Sequence, residues 1–175
     1  GIVAQQAFAR QTEYTKYVDP FVGNADNGHT FPGACRPFGM IQTSPVTGGI
    51  GWRYCSEYVY SDSIIWGFTQ DHLNGTGCMD LGDILVMPST GKRTRSWDEY
   101  RSHFYKTQEF ATPGYYSVYL TDTKVKAELT ASAHVAFHRY TYDSTDSTSV
   151  LIDLQHGPAW NDKQYHSQVN RCETH

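Results

Sequence analysis

The sequence is poor in positive charge and has no long apolar run. Its 175 residues include 14 Lys and Arg against 18 Asp and Glu, and the formal net charge is -4. No stretch concentrates basic residues, which argues against a nucleic-acid partner because phosphate backbones are bound by clustered positive charge. No apolar stretch reaches the roughly 20 residues of a membrane-spanning helix. We therefore expect no nucleic-acid partner and no transmembrane segment.

Several motifs that identify catalytic and metal sites are also missing. There is no GxSxG nucleophile elbow, so a serine triad assembled from Ser56, His72 and Asp83 has little support. No HxxxH pair falls on a predicted helix and no CxxC pair occurs, which argues against zinc. The glycine-rich segments lack the GxxxxGK pattern of a phosphate-binding loop. The aspartates Asp71, Asp80 and Asp83 do not have the spacing of an EF-hand calcium loop.

Helical periodicity is missing as well, and the clearest repeating pattern is that of a strand. Val125 to Ala131 alternates apolar and polar residues, as a half-buried strand does. The same phase continues through Val135 and Phe137. We therefore expect either one bent strand as far as Tyr142 or a connection that preserves the phase. An unbroken straight strand of that length would exceed roughly 55 Å, which is too long.

Further apolar segments predict more strands. Tyr115–Leu120 and Ser149–Leu154 each predict a strand, and Ile84–Met87 predicts a buried strand that ends at Pro88. Ser96–Phe110 fits a helix or an extended segment equally well. Because strands dominate, the sequence predicts an all-β domain, an antiparallel β-sandwich.

The ends of the chain and its cysteines bear on domain limits and cellular location. Ala7-Phe8-Ala9 has the small-x-small form of a signal-peptidase site, which favours export. We expect residues 1–16 to be a flexible leader left from a signal peptide, and residues 17–175 to form the domain, truncated at its C-terminal end. The spacing of the cysteines leaves both disulfides and buried free thiols open for Cys35, Cys55, Cys78 and Cys172.

Aromatic and glycine residues are plentiful and occur side by side. Aromatic residues make up 14% of the chain, and Gly67–Asp83 combines four glycines with His72. Glycine suits positions where the backbone turns sharply or lies close to something, and Tyr and Trp rings with a polar edge suit contact with sugars. Nothing in the sequence pairs the carboxylates that could serve a glycosidase, which are Glu57, Asp62, Asp71 and Asp83. The residues alone therefore favour an exported β domain with a surface suited to carbohydrate.

Six short motifs occur in order along the chain. They are VDPFVG at 18–23, GHTFPGA at 28–34, PFGM at 37–40, Gly51-Trp52, YVYSD at 58–62 and the segment 67–83. This ordered set is specific, and it resembles the N-terminal region of glycoside hydrolase family 92 from about Tyr17 to the C-terminus. The family comprises calcium-dependent, exo-acting α-mannosidases, mostly bacterial.

The resemblance implies an inverting enzyme of two domains, in which an N-terminal β-sandwich packs on an (α/α)6 barrel outside this chain. In the family the acid glutamate, the base aspartate and most groups around the calcium ion belong to the barrel. We therefore expect no catalytic residue in this chain, and its metal ligands stay unknown. Phe31, Gly33, Trp52 and His72 are expected to contact substrate. The family often has a histidine where Gln70 stands; glutamine keeps hydrogen bonding but carries no charge.

The expected function is thus one wall of the active-site pocket in an exo-α-mannosidase of the α-1,2 type, which degrades N-glycans or mannan. The implied partners are mannose-containing glycans and the barrel domain, and the implied cofactor is Ca²⁺. The expected location is secreted or periplasmic, with attachment to the cell surface as a further option. The chain alone is expected to be inactive. Two alternatives stay open: a non-catalytic carbohydrate-binding module and a purely structural scaffold.

Overall fold

The computed structural model describes residues 14–48, 51–78, 80–91, 97–154 and 156. Strands predominate among them, with one short helix, α1 (Trp97–Tyr100), and single turns of 3-10 helix at Tyr14–Tyr17, Trp52–Tyr54 and Lys106–Gln108. No helix in this described part is long and apolar enough to cross a membrane. The strands are β1 Ala34–Cys35, β2 Gln42–Val46, β3 Ile64–Ile65, β4 Gly67–Thr69, β5 Leu85–Thr90, β6 Ser102–His103, β7 Glu109–Thr112, β8 Tyr115–Leu120, β9 Val125–Ala131, β10 Ala136–Tyr142 and β11 Thr148–Asp153.

The strands form two main sheets and one small ribbon. The five-stranded sheet has the order β1-β2-β4-β5-β11, the four-stranded sheet has the order β10-β9-β8-β7, and β3 pairs with β6. Every strand pair is antiparallel. The two main sheets touch where the Phe68 ring lies 6.3 Å from the Tyr140 ring, and where Thr43 Oγ1 lies 3.1 Å from His138 Nε2. The predicted antiparallel β-sandwich is confirmed.

One hydrophobic core fills the space between the sheets. Apolar side chains that alternate along each strand are removed from water together, which supplies the main driving force for folding. Both main sheets and the ribbon contribute, so the described strands share a single core. Its buried members are Val46, Ile65, Phe68, Leu85, Met87, Tyr100, Phe104, Tyr116, Val118, Leu120, Val125, Ala127 and Leu129.

The β9–β10 region is a hairpin, and the predicted conservation of phase is wrong. Ala131 pairs with Ala136 across a four-residue connection that is closed by a hydrogen bond from Ser132 N to Val135 O. Partners that are five residues apart have opposite parity, and cross-strand partners face the same side of a sheet. Strand β10 therefore turns its even-numbered residues inward. Val135 and Phe137 are 48% and 57% exposed as a result.

One other strand prediction, Ile84–Met87, needs correction at both ends. Ile84 has a φ of 56° and is half exposed, so β5 begins one residue later, at Leu85. The strand also continues through Pro88, which pairs with Val150. Strand β4 pairs with β5 only at Val86, so the proline lies beyond that short ladder, where a missing N–H is tolerated.

The predictions at the chain ends lie largely outside the described residues. Residues 1–13, which hold most of the expected leader, lie outside the described residues, and so does Cys172. The other three cysteines are free thiols: Cys35 and Cys78 are exposed, and Cys55 is buried. The Ser96–Phe110 segment proves mixed, because α1 is followed by β6, a 3-10 turn and the start of β7.

Candidate functional site

An open concavity of about 350 Å³ lies where three segments meet: the chain that leads into β1, the loop that follows β4 and the turn between β7 and β8. Phe31 and Gly33 line it, beside the segment 18–22, Asn74 and the turn 112–114. A Cβ atom at Gly33 would lie 2.1 Å from the carbonyl oxygen of Thr43, so no larger side chain fits. The close approach holds the Phe31 loop against β2. Two of the residues expected to contact substrate therefore share one surface.

His72 lies behind this surface, in the interior. The residue is 2% exposed, and its ring centroid lies 4.9 Å from that of Phe31. Its Nδ1 donates a hydrogen bond to the carbonyl oxygen of Gln42 at 2.8 Å. Burial lowers the pKa of His72, and the charge of Glu57 opposes that effect only in part. The predicted contact with substrate stays a prediction, and the position found is that of a support for the Phe31 ring.

A buried carboxylate, Glu57, stands at the centre of the polar interior. Its side chain lies 3.3 Å from His72 Nε2 and 2.8 Å from His156 Nε2, and it accepts a hydrogen bond from Thr69 Oγ1 at 2.9 Å. Burial alone would raise the pKa of Glu57. The hydrogen bonds from His156 and Thr69 and the charge of His72 outweigh burial and lower that pKa. Glu57 is therefore a buried anion with partners from three other segments.

Trp52 lies beside the concavity rather than on its lining. It is 50% exposed. A Cβ atom at Gly77 would fall 2.0 Å from Trp52 Cη2, so only glycine allows the loop between β4 and β5, the Gly-rich loop, to lie this close to the ring. The ring of His29 meets Trp52 edge to face, with centroids 4.9 Å apart. The carbonyl oxygen of His29 accepts a hydrogen bond from Gly75 N. These contacts fix Trp52 next to the loop that presents Phe31.

His29 is a residue that sequence reasoning missed. It adopts a φ of 52°, a region that few residues other than glycine occupy, and it is 7% exposed. Its Nε2 atom has no hydrogen-bond partner among the described residues. Backbone strain and orphaned buried polar atoms concentrate at functional sites. A polar residue that follows a glycine in a loop, as in Gly28-His29, was the one signal in the sequence.

Gln70, the position where the family often has histidine, links strands within the sandwich. Its Nε2 donates to the carbonyl oxygens of Phe68 and Ile84, and its Oε1 lies 3.0 Å from His138 Nε2. Burial lowers the pKa of His138 to about 4, so the ring is neutral near pH 7 and its N–H can donate to the amide oxygen. The amide is therefore occupied by internal contacts.

The serine triad considered from the sequence is not assembled. Ser56 Oγ donates to the carbonyl oxygen of Thr30 at 3.0 Å, while His72 faces Gln42 and Glu57. The hydroxyl is therefore directed at a backbone carbonyl. The hydrogen bonds that hold His72 leave it no role as a base for this serine.

The aspartates of the Gly-rich loop serve mainly its backbone. Asp71 Oδ1 accepts a hydrogen bond from Asp83 N, and Asp80 Oδ1 accepts one from Leu81 N. Burial, together with the charges of Asp71 and Asp80, raises the pKa of Asp83. Among the described residues, no group of three or more His, Cys, Asp or Glu side chains is arranged to hold a metal ion. No calcium ligand is therefore assigned in this part of the chain.

The fold and the site define an antiparallel β-sandwich domain whose loop end carries an aromatic, glycine-lined concavity. The family model of the glycosyl hydrolase family 92 N-terminal domain matches residues 17–175. The chain therefore belongs to glycosyl hydrolase family 92, as its N-terminal domain. The resemblance inferred from the motifs is confirmed.

Relatives with known structures support this assignment. The chain is 40% identical to the family 92 α-mannosidase BT3965 of Bacteroides thetaiotaomicron in complex with mannoimidazole; the TM-score is 0.77, and the match covers 83% of this chain and 20% of that one. The inverting mannosidase BT2199 of the same organism is 28% identical, with a TM-score of 0.69 and coverage of 83% and 20%.

A secreted glycosidase of Arthroderma benhamiae is also similar, at 27% identity over 166 residues, which is 87% of this chain and 21% of the relative. The chain thus spans about a fifth of the length of the relatives it matches.

Proposed function

We propose that this chain forms one wall of the active-site pocket in an inverting exo-α-mannosidase of the α-1,2 type, which degrades N-glycans or mannan. The observation that carries the proposal is that Phe31 and Gly33 line the same open concavity in a family 92 domain. The mannosidases among its relatives, one of them inverting, support the reaction type. The secreted relative supports a location outside the cytoplasm, either secreted or periplasmic.

The chain's own contribution is to bind and orient the sugar. Phe31 is 7% exposed, and the accessible part of its ring would contact the apolar side of a mannose ring. Gly33 lets the backbone approach closely because it has no Cβ. Half-exposed Trp52 would hold the sugar beyond the scissile bond. Positioning of this kind lowers the barrier by fixing the reacting groups in place. His72 and Glu57 would keep Phe31 in position from behind.

The acid and the base would come from the rest of the protein, as the family resemblance implies. In an inverting glycosidase one carboxylic acid protonates the leaving oxygen, and one carboxylate activates water on the opposite face of the ring. A bound calcium ion would supply charge stabilisation there. The chain without the other domain should therefore bind weakly and catalyse nothing.

The test compares the complete gene product with the 175-residue chain, using α-1,2-, α-1,3- and α-1,6-mannobiose. We expect the complete product to release mannose fastest from the α-1,2 disaccharide, with inversion visible by NMR, and the chain alone to release none. Trp52→Ala should lower kcat/KM about tenfold without a change in Tm, through loss of an aromatic contact. The exposed aromatic Tyr105, replaced in Tyr105→Ala, is the matched control.

Two outcomes would count against the proposal. A complete product that releases no mannose from any of the three would remove the assigned activity. Unchanged kcat/KM in Trp52→Ala, at intact stability, would favour a purely structural scaffold. A carbohydrate-binding module without chemistry predicts a different pattern: mannoside binding by the chain alone, equal to that of the complete product.

A further inference from the structure

The outer face of the four-stranded sheet carries a second open groove, of about 360 Å³, which shares no lining residue with the first concavity. Strands β8, β9 and β10 form its floor. Phe137 projects from β10 and is 57% exposed, and Phe110 on β7 is 55% exposed and lies 6.3 Å from the ring of Tyr115. The side chains of this outer face that line the groove include Tyr115, Glu128, Thr130, Phe137 and Arg139.

A rigid polar group is built into this groove between the aromatic rings. Glu128 accepts two hydrogen bonds from Arg139, from Nε and Nη2, each at 2.7 Å, and one from the hydroxyl of Tyr115 at 2.6 Å. A fork of this kind is geometrically specific and leaves three of the five guanidinium N–H groups for other acceptors. The Arg139 side chain is 74% exposed, so those groups face solvent. The site is thus ordered before any ligand arrives.

The charges that line the groove cancel. The hydrogen bond from Arg139 lowers the pKa of Glu128 to about 2, so the carboxylate is ionised and its charge is matched by the guanidinium. Lys126, 3.4 Å from Glu128, is not among the lining residues. A neutral ligand with hydroxyl groups and an apolar face complements such a surface better than an ion does.

The groove adjoins the concavity that holds Phe31. Thr130 Oγ1 donates a hydrogen bond to the carbonyl oxygen of Gly114 at 2.8 Å, and Tyr115 pairs with Thr112. Thr112 and Gly114 line the first concavity, while Tyr115 and Thr130 line the groove. Only the turn between β7 and β8 separates the two surfaces. A branched or polymeric glycan can therefore span both.

We propose that this groove is a second carbohydrate-binding site, which holds a neutral hexose unit of the same glycan that the first concavity receives. The proposal rests on the proposed function for the identity of the sugar, mannose. Phe137 and Tyr115 contact the C–H face of the ring, and the free N–H groups of Arg139 donate to its hydroxyls. The site raises the local concentration of polymeric substrate and leaves small substrates unaffected.

The test measures retention of the complete gene product by soluble α-mannan in affinity electrophoresis, with saturating mannoimidazole present to fill the catalytic pocket. We expect the wild type to be retained under this block. Phe137→Thr, which keeps a strand-forming residue, should weaken mannan binding about tenfold through loss of the aromatic contact. Arg139→Lys, which keeps the charge but loses the fork, should weaken it as well. Tyr105→Thr should bind as the wild type does.

The kinetic arm distinguishes this proposal from the proposed function. Phe137→Thr should keep the wild-type kcat/KM on α-mannobiose and raise KM on mannan. No retention of the wild type under the mannoimidazole block, or equal retention of wild type and both groove variants, would overturn the second site. A product that hydrolyses no mannoside overturns the proposed function instead, and the mannan arm then still decides whether the groove binds polysaccharide.

Discussion

His138 shows how one partly buried ring joins the two sheets at the scale of single residues. Its Nε2 lies 3.1 Å from Thr43 Oγ1 and 3.0 Å from Gln70 Oε1, and its Nδ1 lies 2.7 Å from the hydroxyl of Tyr140. Because burial lowers its pKa to about 4, the folded protein keeps this histidine neutral over much of the acidic range. The unfolded chain does not, since a histidine in water titrates near pH 6.5.

This difference predicts a loss of stability in acid. Between roughly pH 6.5 and pH 4 the unfolded state binds a proton that the folded state rejects, so the free energy of unfolding falls as the pH drops, by up to roughly 3 kcal/mol. His138→Gln keeps a hydrogen-bonding side chain that does not titrate, and it should reduce this slope. Part of the slope should remain in this variant, because burial also lowers the pKa of His72.

The measurement is a urea titration at pH 7, 6 and 5, followed by pulsed hydrogen exchange of the β9 and β10 amides. Exposed His134, replaced in His134→Gln, is the matched control and should leave the slope unchanged. If His138→Gln and the wild type lost stability with falling pH at the same rate, the lowered pKa of His138 in the folded protein would be contradicted.

The roles of single residues were only partly predictable from the sequence. Phe31 and Gly33 come from one motif, so their common surface follows from their spacing. Glu57 is one of the carboxylates that could serve a glycosidase by its residue type, but in the structure it is a buried anion to which His156, 99 residues away, is bonded. A contact across that separation leaves no local pattern. His29 was missed for the same reason, since its burial and its orphaned nitrogen depend on distant loops.

At the scale of elements, the β9–β10 hairpin separates what periodicity can predict from what it cannot. Alternation predicts extended structure from Val125 as far as Tyr142, because period two depends only on which face each residue occupies. The alternation also ran on through Val135 and Phe137 in the same phase, although the turn reverses the parity. The apolar residues after the turn therefore lie outside, where the proposed groove uses Phe137. Exposed apolar residues thus continued the sequence pattern of a core strand.

The reversed parity makes a direct prediction for stability. Leu129 is 1% exposed and belongs to the core, so Leu129→Ala should lower the free energy of unfolding by roughly 2–5 kcal/mol. Phe137 is 57% exposed, and Phe137→Ala should cost less than about 1 kcal/mol. Urea denaturation of the three proteins measures both effects. Equal losses would mean that Phe137 is buried and that the register of the hairpin differs from the one found.

At the scale of the whole molecule, Glu57 ties the loop end of the sandwich together. Its partners lie on β4, through Thr69, in the Gly-rich loop, through His72, and near the end of the described chain, through His156. Gly82 approaches so closely that a Cβ atom there would fall 2.5 Å from Glu57 Oε1. This one carboxylate thus gathers segments that are distant in sequence, and one of them carries His72, which packs against Phe31. Its removal should therefore affect stability and the Phe31 surface together.

Glu57→Gln should lower the free energy of unfolding by about 3 kcal/mol at pH 7, because buried donors lose their anionic acceptor. The pKa of Glu57 is lowered in the folded state, so its stabilisation is full above about pH 4.3 and is lost as the pH falls through the folded pKa. Wild type and variant should therefore converge in acid. Urea titrations from pH 7 to pH 3 measure this, with exposed Asp26, replaced in Asp26→Asn, as the control. In the complete product the KM of Glu57→Gln should rise, because Phe31 loses its support. A difference in stability between wild type and variant that stays constant down to pH 3 would show that Glu57 is not a buried anion.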